Sequence, residues 1–228
     1  MFLINKKVRY NIQMLNIFKK QILGEVSDKP NVPKTFIFIG RSGCGKGTQA
    51  DLMLSFLCKV GDRTCKTLHI ESGALLRQFA QGDNFTQKKI KDVLGAGALV
   101  PESVIVALWT DYIIANFNGT ENMIFDGTPR KLHEAQLLDN ALQFYGIEKP
   151  TVVYINVSQK WSENRLLGRA RKDDTAEAIK KRLDWFDTEV MKTIDFYRTN
   201  PYYNFVDING EQPIEEVHNE IMAKLGLV

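Results

Sequence analysis

The chain has 228 residues, 44% of them hydrophobic and 25% charged, with a formal net charge of +3. That length supports one large core with a small inserted subdomain and excludes a string of full domains. The near balance of charge excludes a broad basic field for nucleic acid and favours small anionic ligands gathered in a cleft.

No apolar run approaches the ~20 residues that a bilayer span needs. The three cysteines, Cys44, Cys58 and Cys65, show neither a paired framework nor Cys-x-x-Cys metal spacing. The expectation is therefore a cytoplasmic protein with unpaired thiols and no structural zinc.

In residues 1–33, Val8, Ile12, Leu15, Phe18 and Ile22 recur at helical spacing on one face, predicting an amphipathic helix. Gly24 to Pro33 reads as a linker, because Asp28-Lys29-Pro30 and Val32-Pro33 block helix continuation. Lysine and arginine predominate before the first acidic residue, Glu25, as in a targeting presequence. Serine is absent before Ser27, however, and Arg9 is the sole arginine. A helix packed against the body is the expectation, with organellar targeting as the alternative.

Thr35 to Ile39 is an apolar strand pattern, and it leads into Gly40-Arg41-Ser42-Gly43-Cys44-Gly45-Lys46-Gly47-Thr48. Glycines at this density let successive backbone N–H groups turn inward onto anionic oxygens, and the helix that follows adds its positive end. Lys46 supplies an ammonium for the outer phosphates of a nucleoside triphosphate, and the Thr48 hydroxyl can meet its magnesium. Gly47 stands between Lys46 and Thr48, a form associated with small nucleotide kinases.

The helical pattern runs from Lys46 to Val60 and stops at Gly61. Apolar runs at Thr67 to Ile70, Met123 to Phe125, Thr151 to Val157 and Tyr203 to Ile208 alternate with helical periodicity. This predicts a three-layer α/β domain with a central five-stranded parallel sheet and the cradle at its carboxyl edge.

Four later stretches carry candidate site residues. In His69 to Arg77, Ser72 can cap a helix with Arg77 just inside it; the plain alternative is an N-cap with a surface arginine. In Gly97 to Glu102, a proline starts a helix with Val104, Ile105, Leu108 and Tyr112 on one side, and the backbone of Ala98, Leu99 and Val100 is exposed to a ligand. In Phe125 to Arg130, Asp126 ends a strand, where a carboxylate can hold magnesium through water, and Arg130 can reach a second phosphate. An Asp satisfying turn donors is the alternative. In Arg165, Arg169, Arg171 and Arg182, the first two project from one helical face, while Asp174 and Glu177 resemble a helix-start box.

Taken in order, Gly40 to Gln49, Ser72 to Arg77, Gly97 to Pro101, Asp126 to Arg130 and Arg165 to Asp174 closely resemble the adenylate kinase family of nucleoside monophosphate kinases. The resemblance spans roughly residues 34–225. It implies a kinase domain over 34–228 with a helical monophosphate-binding insert near 71–100 and a lid near 158–175. A single residue, Ala170, separates Arg169 from Arg171, so the lid is the short form without the zinc-bearing hairpin of some relatives.

The resemblance implies that Gly43, Cys44, Gly45, Lys46, Gly47, Thr48, Arg165, Arg169 and Gln212 bind ATP. Ser72, Arg77, Ala98, Leu99, Val100, Gly127, Arg130, Glu134, Arg171 and Arg182 would hold the acceptor monophosphate. Lys46, Asp126, Arg130, Arg169, Arg171 and Arg182 would carry catalysis, with magnesium near Thr48 and Asp126, in a monomer.

Three residues depart from the family pattern. Glu134 replaces the Gln that reads adenine, and a carboxylate only accepts hydrogen bonds; this opens GMP, CMP or UMP beside AMP as acceptor. Thr128 stands where Phe is usual, and Ala74 where Asp is usual. A nucleotide-binding regulatory protein on the same fold is the other functional class.

Overall fold

The structure is a computed structural model that describes residues 35–60, 66–169 and 175–227, without the side chains of residues 59, 60 and 169. The expected N-terminal helix and linker, Gly61, Arg171 and Asp174 lie outside the described residues.

The strand of Thr35–Gly40 (β1) is buried at all six positions. A continuous apolar run of this kind suits a central parallel strand, covered on both faces. Around it lie β2 (Thr67–Glu71), β3 (Asn122–Asp126), β4 (Thr151–Asn156) and β5 (Asn204–Asn209), in the order β2-β3-β1-β4-β5. Every pairing is parallel. The predicted five-stranded parallel sheet is therefore present, each strand within about two residues of its expected ends.

Alternation sorts the side chains to two faces. Ile37, Ile39, Val152, Tyr154, Ile70, Met123 and Phe125 join one core. The fully buried Phe36, Phe38, Ile124, Val153 and Ile155 occupy the other face. The helices α1 (Lys46–Val60) and α9 (Ile214–Lys224) pack against each other, α1 also on β1, β2 and β3, and α9 on β5.

Between β2 and β3 run α2 (Ser72–Phe79), α3 (Phe85–Gly95) and α4 (Glu102–Asn116). Asn84 caps α3: its side chain accepts from Gln87 N at 2.9 Å, and Gln87 returns an acceptor to Asn84 N at 3.1 Å. The buried stripe of α4 is Ile105, Trp109 and Ile113, with Val104, Leu108 and Tyr112 only partly buried beside it.

α5 (Leu132–Phe144) follows β3. α6 (Gln159–Arg169), α7 (Ala176–Trp185), a π-helical turn (Phe186–Val190) and α8 (Met191–Thr199) link β4 to β5. Thr175 caps α7 by accepting from Ala178 N at 3.2 Å, so the helix-start role expected of Asp174 is filled by its neighbour. Cys58 is disulfide-bonded, and Cys44 is free and buried. That pairing corrects the expectation of unpaired thiols. No described helix is long and apolar enough to cross a membrane.

The carboxyl end of α3 packs closely against α7. Gly97 N donates to Leu94 O and Ala98 N to Val93 O, both at 3.1 Å, a paired closure that requires a left-handed residue at Gly97, where φ is +64°. A Cβ there would lie 2.6 Å from Ala178 Cα. Gly97→Ala is expected to destabilise the protein by about 2 kcal/mol, read as a lower urea midpoint with an unchanged slope.

Candidate functional site

The sheet order puts β1 between β3 and β4, with the chain turning to opposite sides of it, and the crevice beyond the carboxyl ends of these strands is where open α/β sheets bind ligands. Here that crevice is a cleft of about 840 Å³.

Its floor is the glycine loop. At Gly40, φ is +152° and a Cβ would sit 2.5 Å from Ile155 O, so β1 can leave the sheet this close to β4 only as glycine. Lys46, the first residue of α1, folds back so that Nζ donates to Gly40 O at 2.9 Å and Arg41 O at 2.8 Å. Cys44 fills the inside of the loop, with Sγ 3.6 Å from Lys46 Nζ. Arg41, not among the expected site residues, donates Nη2 to Asp187 Oδ1 at 2.5 Å and lies 4.2 Å over the Phe186 ring. The loop is thereby tied to the π-helical turn, a feature that no motif announces.

Asp126 ends β3 only 8% exposed, and a Cβ on Gly47 would lie 3.2 Å from its Oδ2. Burial raises its pKa above the ordinary range, opposed chiefly by the Lys46 charge. With Thr48 also lining the cleft, the two expected donors are one carboxylate and one hydroxyl. No three His, Cys, Asp or Glu among the described residues gather as a metal-ligand set. Such a donor set fits magnesium, which keeps most of its waters and takes phosphate oxygens as ligands.

The opposite wall comes from β2, the insert and the β3–α5 loop. Ser72 is the first residue of α2 and does not cap it; Glu71 holds the cap position without a side-chain bond to the helix backbone. The Ser72 hydroxyl instead donates to Gly127 O at 2.7 Å, and Arg130 Nε donates to the same carbonyl at 2.7 Å. One carbonyl thus joins the start of α2 to the loop that carries Arg130. The Arg130 guanidinium lies deep in the cleft, where burial lowers its pKa, opposed mainly by Glu134 and Asp126. Its Cζ is 5.5 Å from the Trp185 ring centre. Trp185 Nε1 donates to Gly97 O at 3.2 Å, so one indole touches both the insert and the cationic wall.

The cleft brings together Gly43, Gly45, Lys46, Gly47, Thr48, Ser72, Arg77, Ala98, Asp126, Gly127, Arg130, Arg165 and Arg182 from the expected set. A narrow pocket beside it adds Leu99, Val100 and Glu134. Gln212 lines neither: its Nε2 donates to Asn209 O at 2.8 Å and Glu220 Oε2 at 2.6 Å. Arg169 ends α6, but its side chain, like the whole of Arg171, is outside the described residues.

Glu134 is 3% exposed, and both carboxylate oxygens are engaged. Oε1 accepts the Thr128 hydroxyl, and Oε2 accepts the Arg130 N–H at 2.8 Å. Two departures from the family pattern, Thr128 and Glu134, are therefore one interaction, which holds the loop onto the first turn of α5.

A family model described as adenylate kinase matches residues 38–202. The chain belongs to the adenylate kinase family. It is 33% identical to adenylate kinase 1 of Nostoc sp. over 83% of this chain and 97% of that one. It is 32% identical to an adenylate kinase of Leptospira biflexa over 84% of this chain and all of that one. An adenylate kinase of Oenococcus oeni matches at 31%, over 78% and 91% respectively. The protein is thus a phosphotransferase of the nucleoside monophosphate kinase type, and the cleft between glycine loop and arginine wall is its candidate active site.

The raised carboxyl of Asp126 makes a prediction with a definite sign. An acid that binds its proton more readily when folded than when unfolded weakens the fold at neutral pH. Asp126→Asn is expected to stabilise the nucleotide-free protein by about 1 kcal/mol at pH 7 while severely reducing turnover. The gain should shrink as pH falls through the raised value and vanish below the ordinary aspartate value of 3.8. Thermal melts of both proteins across pH test this.

Proposed function

We propose that the protein transfers the terminal phosphoryl group of ATP to a nucleoside monophosphate, with AMP as the principal acceptor. The observation that supports this is one cleft with two cationic walls. The glycine loop and Lys46 face a second cluster of Arg77, Arg130 and Arg182, as two phosphate-bearing substrates require. A monomer is proposed as the acting unit.

In this reading the glycine loop grips the triphosphate through backbone N–H groups, and Lys46 exchanges its loop carbonyls for phosphate oxygens. Magnesium, when bound beside Thr48 and Asp126, neutralises charge on the triphosphate oxygens. Ser72, Arg77, Gly127 and Arg130 hold the acceptor phosphate, with its base against Ala98, Leu99 and Val100. The acceptor oxygen is already ionised, so alignment and charge neutralisation by preplaced cations are the main demands. Arg165 stacks on the base of ATP, while Arg169 and Arg171 on the lid segment, with Arg182, supply the neutralisation as the donor and acceptor close on each other. Exclusion of water by that closure favours transfer over hydrolysis.

A coupled assay with ATP, magnesium and each of AMP, GMP, CMP and UMP tests the reading. Transfer to AMP with the highest kcat/KM is expected, and no transfer to any of the four would favour a regulatory nucleotide-binding protein. Arg169→Ala should lower turnover about a thousandfold, by analogy with transition-state arginines; a value within twofold of the parent would remove that assignment.

Because Glu134 spends both oxygens on its own loop, it is read here as holding the acceptor wall rather than choosing the base. Glu134→Gln offers one acceptor oxygen where two are used. It should cost about 1 kcal/mol of stability and leave the ranking of the four acceptors unchanged; a reordered ranking would show that the carboxylate reads the base.

A further inference from the structure

Glu71 ends β2 on the wall of the cleft, in no motif and with no role in the reading above. Its carboxylate holds Arg77: Oε1 accepts from Nη2 at 2.8 Å. The guanidinium is drawn back along α2 toward its amino end, in the direction that helical side chains lean. It lies so close to Gly73 that a Cβ there would sit 2.9 Å from Nη1. The pair therefore rests at the start of the helix, and Glu71, its cap residue, makes no side-chain bond to the helix backbone.

We propose that Glu71 is a positioning residue that stands in for the acceptor phosphate on Arg77, so that monophosphate binding is an exchange of one anion for another. This rests on the reading of Arg77 as a contact of the acceptor phosphate. Side-chain exposures of 48% for Arg77 and 39% for Glu71 leave both ends of the pair open to exchange. An ion pair this accessible is weak, of the order that a dianionic phosphate displaces readily. Glu71 also crowds the cleft with like charge, since it is among the groups that raise Asp126, and an arriving phosphate meets the same repulsion. The carboxylate thus keeps the guanidinium folded over Gly73 while the site is empty, and it recaptures Arg77 when product leaves. The result is an acceptor affinity set below what the arginines alone would give.

Because the exchange occurs at the phosphate, its effect is the same for every base. Titration calorimetry of the full chain, without donor, with AMP, GMP, CMP, UMP and adenosine reads it. Glu71→Gln, and Glu71→Ser as a second variant, should tighten every monophosphate that binds by a common factor of about three to five, the scale of an exposed pair. The acceptor KM should fall in step, and adenosine should be unaffected. In an Arg77→Ala background, removing Glu71 should change affinity less than twofold.

Unchanged or weaker monophosphate binding in both Glu71 variants would overturn the proposal. So would equal tightening with and without Arg77, because the carboxylate would then act only through its field. Tightening that differs among the bases would overturn it as well. If Arg77→Ala alone leaves monophosphate affinity intact, or if none of the four binds, the underlying assignment of Arg77 fails, and that is seen without any Glu71 variant.

Discussion

Several positive charges share one crevice, and the protein must hold them there before any phosphate arrives. Lys46 sits on the carbonyls of Gly40 and Arg41, Arg130 on that of Gly127, and Arg77 on the carboxylate of Glu71. Burial lowers the pKa of Arg130, Glu134 and Asp126 oppose this, and the charges of Arg182 and Arg77 add a smaller repulsion. Repulsion of this kind in a partly dry site is what makes anionic ligands favourable there. It also means that the cations are already in place when charge moves, so little reorganisation is left for the chemical step. In the proposed reaction, binding at each wall is the replacement of a protein acceptor by a phosphate oxygen.

The parallel sheet gives those charges their positions. β1 emerges between β3 and β4, so the glycine loop and the Asp126 loop open side by side with no choice of spacing left. Gly40 is needed because β4 passes within contact of it. The opposite wall belongs to elements that do not pair with the sheet, and it is tied in by single polar contacts. Gly127 O gathers Ser72 and Arg130, Trp185 holds the end of the insert, and Arg41 reaches Asp187. A wall fastened at a few points can move as a unit, which suits the proposed closure over two substrates.

The Thr128–Glu134 contact shows how a substitution gains meaning in three dimensions. Along the chain, a carboxylate in place of an amide suggests a changed preference for the acceptor base. In space, the same carboxylate is committed to a hydroxyl and an N–H six and four residues before it. A buried carboxylate needs such donors, and Thr128 in place of an aromatic residue supplies one of them.

The sequence by itself determined that the sheet is parallel and five-stranded, and it determined the glycine cradle and the arginine-bearing stretches. These rest on local rules: continuous apolar runs for covered strands, glycine where the backbone must bend, helical spacing for shared faces. It misplaced what depends on small choices among neighbouring groups. The cap of α2 falls at Glu71 and that of α7 at Thr175, and Ser72 turns its hydroxyl to Gly127. Only the tertiary structure decided which distant groups meet. Arg41 and Asp187 are 146 residues apart, and Trp185 and Gly97 are 88 apart. No periodicity connects such pairs, because their contact is fixed by how whole elements pack and not by any spacing along the chain.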